Sequence, residues 1–397
     1  MKILHVVTCL KKGSGGAAEV VPKICEVQLQ NGDQTQIAFL FDPEVADSVM
    51  SAQKVGVGIC WFKRLTGRWV VWNGIAYSPD LHKRLASYIA KCDIVHIHGM
   101  WQYPTWYAAM CARKLGRPYV VMPHGSLEPE RLKISPLKKR LSGCFFDRKM
   151  LNDAACVWAT AESERLGIEQ YGVTAPIEII PLGLDIERFG NEVRDEVFLS
   201  KMGVDVHKRT ILYFSRITPV KGLDMLADAW QSLSREFHDW QLLIVGPDDR
   251  GYAETVKKMF ASKCKVGSYV FHPPVYREDK ITLLNSIDGF VLPTRSENWS
   301  ISVAEAMASG KPVVCTKGAP WECLNVAKAG WWVDTSVQGI VCGLRKLMAT
   351  SEEDRKAIGK NARKWICENL DWSVVSQKMH RCYENILSND VKQNILK

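Results

Sequence analysis

The sequence has 397 residues, of which 47% are apolar and 24% are charged, and its formal net charge is +9. This size and composition predict two globular domains, each able to bury a core without disulfide or metal staples. The 13 cysteines have no paired spacing, and no apolar run reaches the roughly 18 residues of a membrane span, which argues against secreted disulfide scaffolds and transmembrane proteins. We therefore expect a cytoplasmic protein whose positive charge suits nucleic acid, anionic lipid or a phosphorylated substrate.

Short apolar, β-branched runs alternate with longer helical patterns along the whole chain. This alternation predicts βαβ units, and near-continuous apolar strands predict parallel sheets that are covered on both faces. Ligands of such sheets bind at the carboxyl ends of the strands. The predicted strands are Lys2–Thr8, Gln36–Phe41, Ile94–His98, Tyr119–Met122, Val157–Ala161, Ile177–Ile180, Thr210–Ser215, Gln241–Val245, Val270–His272, Gly289–Leu292, Pro312–Cys315 and Gly330–Val333.

A loop at residues 181–185, followed by a charged stretch without a clear strand, predicts the domain boundary. We expect a Rossmann-like first domain over residues 1–190 and a second over residues 191–372. A C-terminal helix at about residues 373–390 is expected to pack back on the first domain.

The first predicted strand is followed by a loop that contains Gly13, Gly15 and Gly16. Glycine lets the backbone approach a ligand closely, although the spacing differs from the fingerprint of dinucleotide-binding proteins. Two later strands end at His98 and just before His124. A lone histidine is usually a satisfied core or loop residue, but a histidine followed by glycine at a strand's carboxyl end can contact a ligand hydroxyl. The histidine spacing does not predict a zinc site.

Two segments of the first half combine aromatic and basic residues. Residues 61–72 predict either a loop and helix packed on the core or an interfacial patch. In the basic–aromatic segment, Lys133–Lys149, the apolar residues Leu137, Leu141, Phe145 and Phe146 lie among the cations. This segment either lies on an anionic membrane or is a solvated helix face whose apolar residues join the core. Nucleic acid is not expected as a partner, because no helix-turn-helix, zinc-finger or RNP pattern occurs.

In the second half, the strand at residues 210–215 delivers Arg216 and Lys221 to the following loop. Two cations at this place can neutralise a diphosphate leaving group as charge develops on it. A helix is expected to begin after Lys221 and Gly222, and its N-terminus adds positive potential. Without further signals, an arginine and a lysine in a loop are more often solvated surface charges.

The most specific segment follows the strand at residues 289–292 and carries two acids eight positions apart. Glu297 is expected in the loop, and Glu305 in the first turn of a helix that Ser300 or Ser302 caps. Carboxylates accept hydrogen bonds from sugar hydroxyls, and the free N–H groups of the helix start, near Ile301, can hold a phosphate. Glu305 alone could equally be an N-terminal acid favoured by the helix dipole.

This segment resembles the E-x7-E signature of retaining glycosyltransferase family 4, the group 1 glycosyltransferases. The stretch from Ser215 to Gly222 is similar to the G-R-x-x-x-x-K-G motif of that family, with Ser215 in place of the usual glycine. The glycine loop ending at Glu19 is similar to a family loop on the acceptor side. The resemblance covers nearly the whole chain and implies the GT-B fold, in which two Rossmann-like domains face each other across a cleft.

The resemblance implies a retaining enzyme that moves a hexose-type sugar from a nucleotide-diphosphate sugar to a saccharide or lipid-linked saccharide. The expected setting is the biosynthesis of cell-surface polysaccharide or lipopolysaccharide, with no metal or other cofactor. A peripheral position at the inner face of the plasma membrane fits the basic–aromatic segment. The implied catalytic residues are Glu297, His124, Arg216 and Lys221. The implied nucleotide-sugar contacts are Glu305, Arg216, Lys221, Ser300, Ile301, Ser302, Val275 and Gly246. The implied acceptor-side residues are Gly15, Gly16 and His98.

Two alternatives remain open at this level. One is another enzyme of the same fold, such as a sucrose- or trehalose-type synthase or a different small-molecule glycosyltransferase. The other belongs to another functional class, a nucleotide-sugar or nucleic-acid binder without catalysis. The sequence identifies neither the donor sugar and its base nor the acceptor hydroxyl.

Overall fold

The computed structural model describes residues 1–12, 16–65, 75–128, 132, 137, 139, 142–190 and 193–395. The chain divides into two compact units: unit 1 holds the residues up to Gly183 and those from Trp372 onward, and unit 2 is Leu184–Asp371. The division lies a few residues before the predicted boundary at 190/191. The reason is local, because the Leu184 N–H donates to the Leu370 carbonyl (2.7 Å) and holds the connecting segment to unit 2.

Unit 1 is built on a seven-stranded parallel sheet with the strand order β3-β2-β1-β4-β5-β6-β7. Its central strands are buried throughout, as expected for a parallel sheet that helices cover on both faces. The strands are β1 (Lys2–Val7), β2 (Gln34–Leu40), β3 (Gly58–Phe62), β4 (Ile94–His98), β5 (Tyr119–Met122), β6 (Cys156–Ala159) and β7 (Ile177–Ile179).

The strand β3 was missed in the sequence analysis, where Trp61 and Phe62 belong either to a loop and helix packed on the core or to an interfacial patch. β3 is an edge strand and pairs in parallel with β2 alone, so that only one side of its backbone is held in the sheet. Phe62 is fully buried, whereas Trp61 is 52% exposed. A short strand with a mixed burial pattern gives little periodic signal. The other aromatic residues of this segment, Trp69 and Trp72, lie outside the described residues.

The helices of unit 1 include one that comes from the C-terminal end of the chain. This helix packs against the first helix, and its Tyr383 is fully buried in the same core. The helices are α1 (Ala17–Gln30), α2 (Asp47–Lys54), α3 (Pro79–Ile89), α4 (Tyr103–Lys114), α5 (Arg148–Asn152), α6 (Glu162–Gln170) and, at the C-terminal end, α15 (Trp372–Ile395); a π-helical turn, Gly143–Asp147, precedes α5. None of the helices in the described part of the chain is long and apolar enough to cross a membrane.

Unit 2 is built on a six-stranded parallel sheet with the strand order β10-β9-β8-β11-β12-β13. The strands are β8 (Arg209–Phe214), β9 (Trp240–Val245), β10 (Tyr269–His272), β11 (Gly289–Leu292), β12 (Val313–Thr316) and β13 (Gly330–Val333). The helices are α7 (Glu196–Lys201), α8 (Leu223–Glu236), α9 (Tyr252–Lys263), α10 (Arg277–Ser286), α11 (Ile301–Ala308), α12 (Cys323–Val326), α13 (Val337–Ala349) and α14 (Glu352–Leu370), with 3-10 turns at Ile186–Arg188 and Pro219–Lys221.

Both sheets reverse their strand order once, between β1 and β4 in unit 1 and between β8 and β11 in unit 2. At such a switch point the connections leave the sheet towards opposite faces, and a crevice opens at the carboxyl ends of the two strands. The predicted glycine loop follows β1, and His98 ends β4. In unit 2, Lys221 follows β8 and Glu297 follows β11. His98 of unit 1, and Lys221 and Glu297 of unit 2, therefore lie at the switch point of their own unit.

A close backbone approach at the switch point of unit 2 depends on Gly222. This residue has φ +70°, and a Cβ atom there would lie 2.0 Å from the carbonyl oxygen of Pro293. Only glycine satisfies both the backbone conformation and the contact. Gly246 is similar, since its Cβ would lie 1.8 Å from the Ser215 carbonyl oxygen.

We expect the Gly222→Ala substitution to lower the free energy of unfolding of unit 2 by about 2–4 kcal/mol, from left-handed strain together with overpacking. Gly251→Ala is the matched control, because Gly251 has φ +81° but nothing within 4 Å of a Cβ. The control should be destabilised only by the left-handed backbone strain, which costs about 1–2 kcal/mol. Thermal unfolding of both variants measures the difference, and equal losses would show that the contact with Pro293 contributes nothing.

Candidate functional site

The loops after β8 and β11 are joined through the backbone of Val220, in the 3-10 turn Pro219–Lys221. The Val220 carbonyl accepts hydrogen bonds from the Arg295 N–H (2.8 Å) and from the hydroxyl of Thr294 (3.2 Å). Thr294 is fully buried, so this linkage is screened from water. It fixes the loop that carries Lys221 against the loop that carries Glu297.

Lys221 and Glu297 form an ion pair across these two loops. Only 5% of the Lys221 side chain is exposed, against 22% for Glu297, so the ammonium group has lost most of its hydration. A buried lysine needs a compensating partner, and the carboxylate supplies it. The Glu297 N–H donates to the Gly318 carbonyl (2.8 Å), which ties the acid to the loop after β12 as well. The structure thus brings two predicted catalytic residues into direct contact.

Arg216 lies in the same loop as Lys221 but is exposed. Its guanidinium group is 3.7 Å from a carboxylate oxygen of Asp249, in the loop after β9. The hydroxyl of buried Tyr213 donates to the Arg216 carbonyl (2.8 Å) and steadies the turn. Asp248 accepts from the Ala253 N–H (2.8 Å) at the start of α9. The two neighbouring aspartates therefore serve a helix start and an arginine.

Glu305 is buried on α11 and pairs with Lys280 of α10. Two details of the sequence analysis were wrong here. Glu305 lies in the second turn of α11, because the helix begins at Ile301. Ser300 occupies the N-cap position with φ +66° but makes no side-chain cap, since its hydroxyl contacts that of Ser302 (3.2 Å) instead. The side chain of the N-cap residue therefore leaves the first N–H groups of α11 uncapped, as an anion-binding helix end requires.

Two further residues of unit 2 that were predicted to contact the nucleotide sugar, Gly246 and Val275, do not follow the strands of the switch point. Gly246 follows β9 and touches the backbone of Ser215, so it borders the loop that carries Arg216. Val275 is buried after β10, an edge strand two positions from β8. A separate surface groove of unit 2 is lined by charged residues that include Arg188, Arg194 and Glu278, and it contains none of the predicted site residues.

In unit 1, the buried His5 and His98 and the half-buried His124 form a hydrogen-bonded series at the switch point. His5 Nδ1 lies 2.9 Å from His98 Nε2, and His98 Nδ1 lies 3.0 Å from His124 Nε2. His5 Nε2 lies 2.8 Å from the side-chain oxygen of Gln28 on α1. His98 was predicted to lie on the acceptor side, whereas here its ring is 2% exposed and links two other histidines. Of the predicted acceptor-side glycines, Gly16 immediately precedes α1, and Gly15 lies outside the described residues.

His124 lies in a tight turn with φ +54°, which is uncommon for a residue other than glycine. The turn is held by Glu164 of α6, whose carboxylate accepts from the Gly125 N–H (2.5 Å) and from the Thr160 N–H (2.8 Å). Glu164 is 1% exposed. The sequence alone assigns no role to Glu164, since an acid in the first turn of a helix resembles an ordinary N-terminal acid.

The nitrogen atoms of His5, His96 and His98 lie within 4.8 Å of one another, a spacing that could hold a metal ion. His5 and His98 bond to each other, and His96 Nδ1 lies 2.7 Å from the hydroxyl of Tyr383. Among the described atoms, His96 Nε2 is buried without a partner. The arrangement is a hydrogen-bonded network as it stands, and the absence of a metal cofactor stays a prediction.

The described part of the basic–aromatic segment turns its apolar side chains to the surface. Leu137 is 76% exposed, Phe145 70% and Phe146 51%. Lys149 is exposed beside them. The alternative in which these apolar residues join the core is wrong for Leu137 and Phe145, whereas Phe146 stacks on Trp106, at the edge of the core, with ring centroids 4.8 Å apart. Lys133, Lys138, Arg140 and Leu141 lie outside the described residues.

Burial makes the histidine network sensitive to acid. Desolvation lowers the pKa of His5 to about 4, partly offset by its hydrogen bond to Gln28, and it holds the pKa values of His96 and His98 well below the usual range. The unfolded chain therefore binds more protons than the folded chain below about pH 6.5, so stability is full above that pH and falls as the pH drops towards 4.

We expect each such histidine to contribute a slope of up to about 1.4 kcal/mol per pH unit in that window. Replacing His96 by phenylalanine should make the fall in unfolding temperature between pH 7 and pH 5 shallower. His238→Gln, at an exposed position of unit 2, should keep the slope of the unsubstituted protein. Identical slopes for all three proteins would contradict the role of histidine burial.

Comparison with known proteins gives two family models. Residues 15–183 match the "Glycosyl transferase 4-like domain" and residues 196–365 match "Glycosyl transferases group 1". The fold is also that of Anabaena HepE in complex with UDP, at a TM-score of 0.74 with 19% identity over 97% of this chain and 100% of that one. This likeness confirms the GT-B fold predicted from the sequence.

Two relatives have described activities. The chain is 29% identical over 221 residues to a GDP-mannose-dependent alpha-(1-6)-phosphatidylinositol monomannoside mannosyltransferase of Mycobacterium tuberculosis, covering 53% of this chain and 56% of that protein. It is 23% identical over 356 residues to a GDP-mannose:cellobiosyl-diphosphopolyprenol alpha-mannosyltransferase of Xanthomonas oryzae, covering 89% of this chain and 86% of that protein. The match to the mycobacterial enzyme thus spans little more than half of that protein's length. With both halves of the chain matched by family models and the E-x7-E acids at the switch point of unit 2, the chain belongs to the group 1 glycosyl transferases.

Proposed function

We propose that the protein is a retaining glycosyltransferase that moves a hexose from a nucleotide-diphosphate sugar to a lipid-linked saccharide. The observation that carries this proposal is the buried ion pair of Lys221 and Glu297 at the switch point of unit 2. A diphosphate that reaches this point meets the ammonium group of Lys221, and the neighbouring acid is available to sugar hydroxyls. Arg216 of the same loop is exposed and supplies a second cation.

The roles of the four groups follow from their settings. Lys221 and Arg216 stabilise the charge that develops on the departing diphosphate, with help from the N-terminus of α8. Glu297 orients the donor sugar, as does His124 of unit 1. Glu305, which pairs with Lys280, accepts hydrogen bonds from the ribose hydroxyls.

In the proposed reaction the bond between the anomeric carbon and the diphosphate oxygen breaks, and the electron pair leaves with the nucleotide. The acceptor hydroxyl forms the new bond to the same carbon from the same face, and its proton passes to the departing phosphate oxygen. Retention by this route needs no carboxylate nucleophile. Atoms and charge balance without a redox partner.

The named relatives suggest which substrates to test first. Two of them are described as using GDP-mannose, and their acceptors are a phosphatidylinositol mannoside and a diphosphopolyprenol-linked sugar. We therefore propose GDP-mannose as donor and a membrane-anchored saccharide as acceptor. The exposed Leu137, Phe145 and Phe146 support this choice, because apolar side chains beside cations suit an anionic membrane surface.

Donor binding should be seen as a rise in unfolding temperature with GDP-mannose, compared with UDP-glucose and ADP-glucose at equal concentration. At about 100 times the dissociation constant, a specific ligand adds about 2.7 kcal/mol of stability. Transfer is then measured as mannose incorporated into a lipid extract, and the anomer of the product reports on retention.

The ion pair itself is tested with Lys221→Met alone and with Lys221→Met combined with Glu297→Gln. The single variant leaves a partly buried acid unpaired and should lose both stability and turnover. The double variant removes both charges, so it should regain most of the stability while its turnover stays at least about 100-fold below that of the unsubstituted protein.

The matched control is Lys263→Met, which breaks a lysine–aspartate pair elsewhere in unit 2, with Asp228. Its turnover should be unchanged, because surface pairs contribute little. Near-normal transfer by the double variant would sink the proposed site, whereas loss of transfer in the control would mean that the assay reports stability alone.

Membrane binding should depend on the exposed apolar residues of the basic–aromatic segment. We expect Leu137→Asn combined with Phe145→Ser to reduce co-sedimentation with anionic vesicles several-fold, and added salt to weaken it further. Val266→Ser is the control, because Val266 is 88% exposed in unit 2. Equal binding by both proteins, or equal binding to neutral vesicles, would contradict the assignment of this surface.

A further inference from the structure

The hydrogen bonds that lead from Gln28 to His124 have a single direction. The side-chain nitrogen of Gln28 donates to the hydroxyl of Tyr383 (3.2 Å), which turns the amide oxygen towards His5 Nε2 (2.8 Å). An amide oxygen is an acceptor only, so His5 carries its proton on Nε2. A neutral imidazole has one N–H, and His5 Nδ1 is therefore an acceptor.

The proton positions of His98 and His124 follow in the same way. His98 Nε2 must donate to His5 Nδ1 across 2.9 Å, which leaves His98 Nδ1 as an acceptor. His124 Nε2 must then donate to His98 Nδ1 across 3.0 Å. His124 is left with its proton on Nε2 and a bare lone pair on Nδ1.

Desolvation keeps His5, His98 and His124 neutral, so that each ring carries a single proton. His5 and His98 are 0% and 2% exposed, and desolvation holds their pKa values far below neutrality. Desolvation also lowers the pKa of His124 to about 4. A second proton, which would break the direction of the series, is therefore excluded at pH 7.

We propose that Gln28, His5 and His98 are positioning residues that fix His124 as its Nε2–H tautomer, so that His124 Nδ1 serves as a hydrogen-bond acceptor for a hydroxyl group of the donor sugar. The sugar contact rests on the proposed function, whereas the tautomer does not. The ligand chemistry follows directly, because a bare nitrogen accepts from a hydroxyl but not from a fluorine or a carbonyl oxygen at the same position. Nucleotide sugars in which fluorine or a carbonyl oxygen replaces this hydroxyl should therefore bind more weakly.

Tyr383, on the C-terminal helix α15, orients the side-chain amide of Gln28. Its hydroxyl accepts from Gln28 and lies 2.7 Å from His96 Nδ1, to which it can donate. His96 in turn packs edge-to-face with Trp158, with ring centroids 4.5 Å apart. The orientation of the Gln28 amide, and with it the direction of the whole series, is thus set from a residue 355 positions away.

Nitrogen NMR of the full chain labelled at histidine tests the tautomer. Long-range proton–nitrogen spectra distinguish a protonated ring nitrogen from a bare one, and the His124→Gln variant identifies the signals of His124 by their loss. We expect Nε2 protonated and Nδ1 bare in the unsubstituted protein at pH 7.5. Both tautomers should be populated in Gln28→Met, or in Tyr383→Phe should the first variant fold poorly.

The kinetic readout separates positioning from structural damage. Gln28→Met should raise KM for the nucleotide sugar about three- to tenfold, the effect of one neutral hydrogen bond. The dissociation constant of the free nucleoside diphosphate, which has no sugar to contact His124, should be unchanged. Gln241→Met is the control, since Gln241 is an equally buried glutamine in unit 2 and should alter neither value.

Three results would overturn the proposal: a protonated Nδ1 on His124, an unchanged tautomer in both variants, or a stoichiometric metal ion bound in place of the proton between His5 and His98. Absence of transfer with every nucleotide sugar, together with the expected NMR signals, would instead sink the proposed function and leave the tautomer assignment intact.

Discussion

A lysine ammonium buried at the switch point of a parallel sheet has to be neutralised, and this constraint organises the centre of unit 2. Lys221 meets it through Glu297, and the two loops reach each other because Gly222 lets the backbone pass Pro293 at a distance that no side chain allows. The Val220 carbonyl then holds both loops together. The charge that we propose for the diphosphate is therefore built into the fold before any substrate binds, and the stability of unit 2 depends on the same contacts as the proposed chemistry.

The switch point of unit 1 holds neutral polar side chains instead of charged ones. Its polar side chains are neutral histidines, which satisfy one another through N–H···N bonds and avoid the cost of a buried charge. The series has no net charge, but each of its hydrogen bonds is donated in the same direction, from His124 towards Gln28. The two units thus offer different chemistry, cations and acids in unit 2 and an oriented hydrogen-bonding group in unit 1.

The sequence predicted the sheets well because buried parallel strands are continuous apolar runs, and the cations and acids of the site lie within a few residues of those strands. Prediction from the sequence failed where a side chain pairs with a residue distant in the chain, or where a strand is partly exposed. The edge strand β3 lacked a clear period. Lys280 pairs with Glu305 across 25 positions and has no local signature. Ser300 or Ser302 was predicted to cap α11, but Ser300 has a left-handed backbone and its hydroxyl contacts that of Ser302 instead.

The histidine network shows the same limit more sharply. The sequence indicated that His98 and His124 lie at strand ends, which follows from strand alternation and a following glycine. It could not indicate Gln28 and Tyr383, since a polar residue on an amphipathic helix carries no mark of its partner. Packing of α1 and α15 on the sheet brings these groups together, and only tertiary structure reveals that their hydrogen bonds share one direction.

The most direct test of the central claim is a crystal structure of the protein with GDP-mannose, or with GDP, bound. The account predicts the phosphates at Lys221 and Arg216 beside the start of α11, and the ribose hydroxyls on the carboxylate of Glu305. A nucleotide seated instead in the groove lined by Arg188 and Arg194, with the Lys221–Glu297 pair untouched, would contradict it.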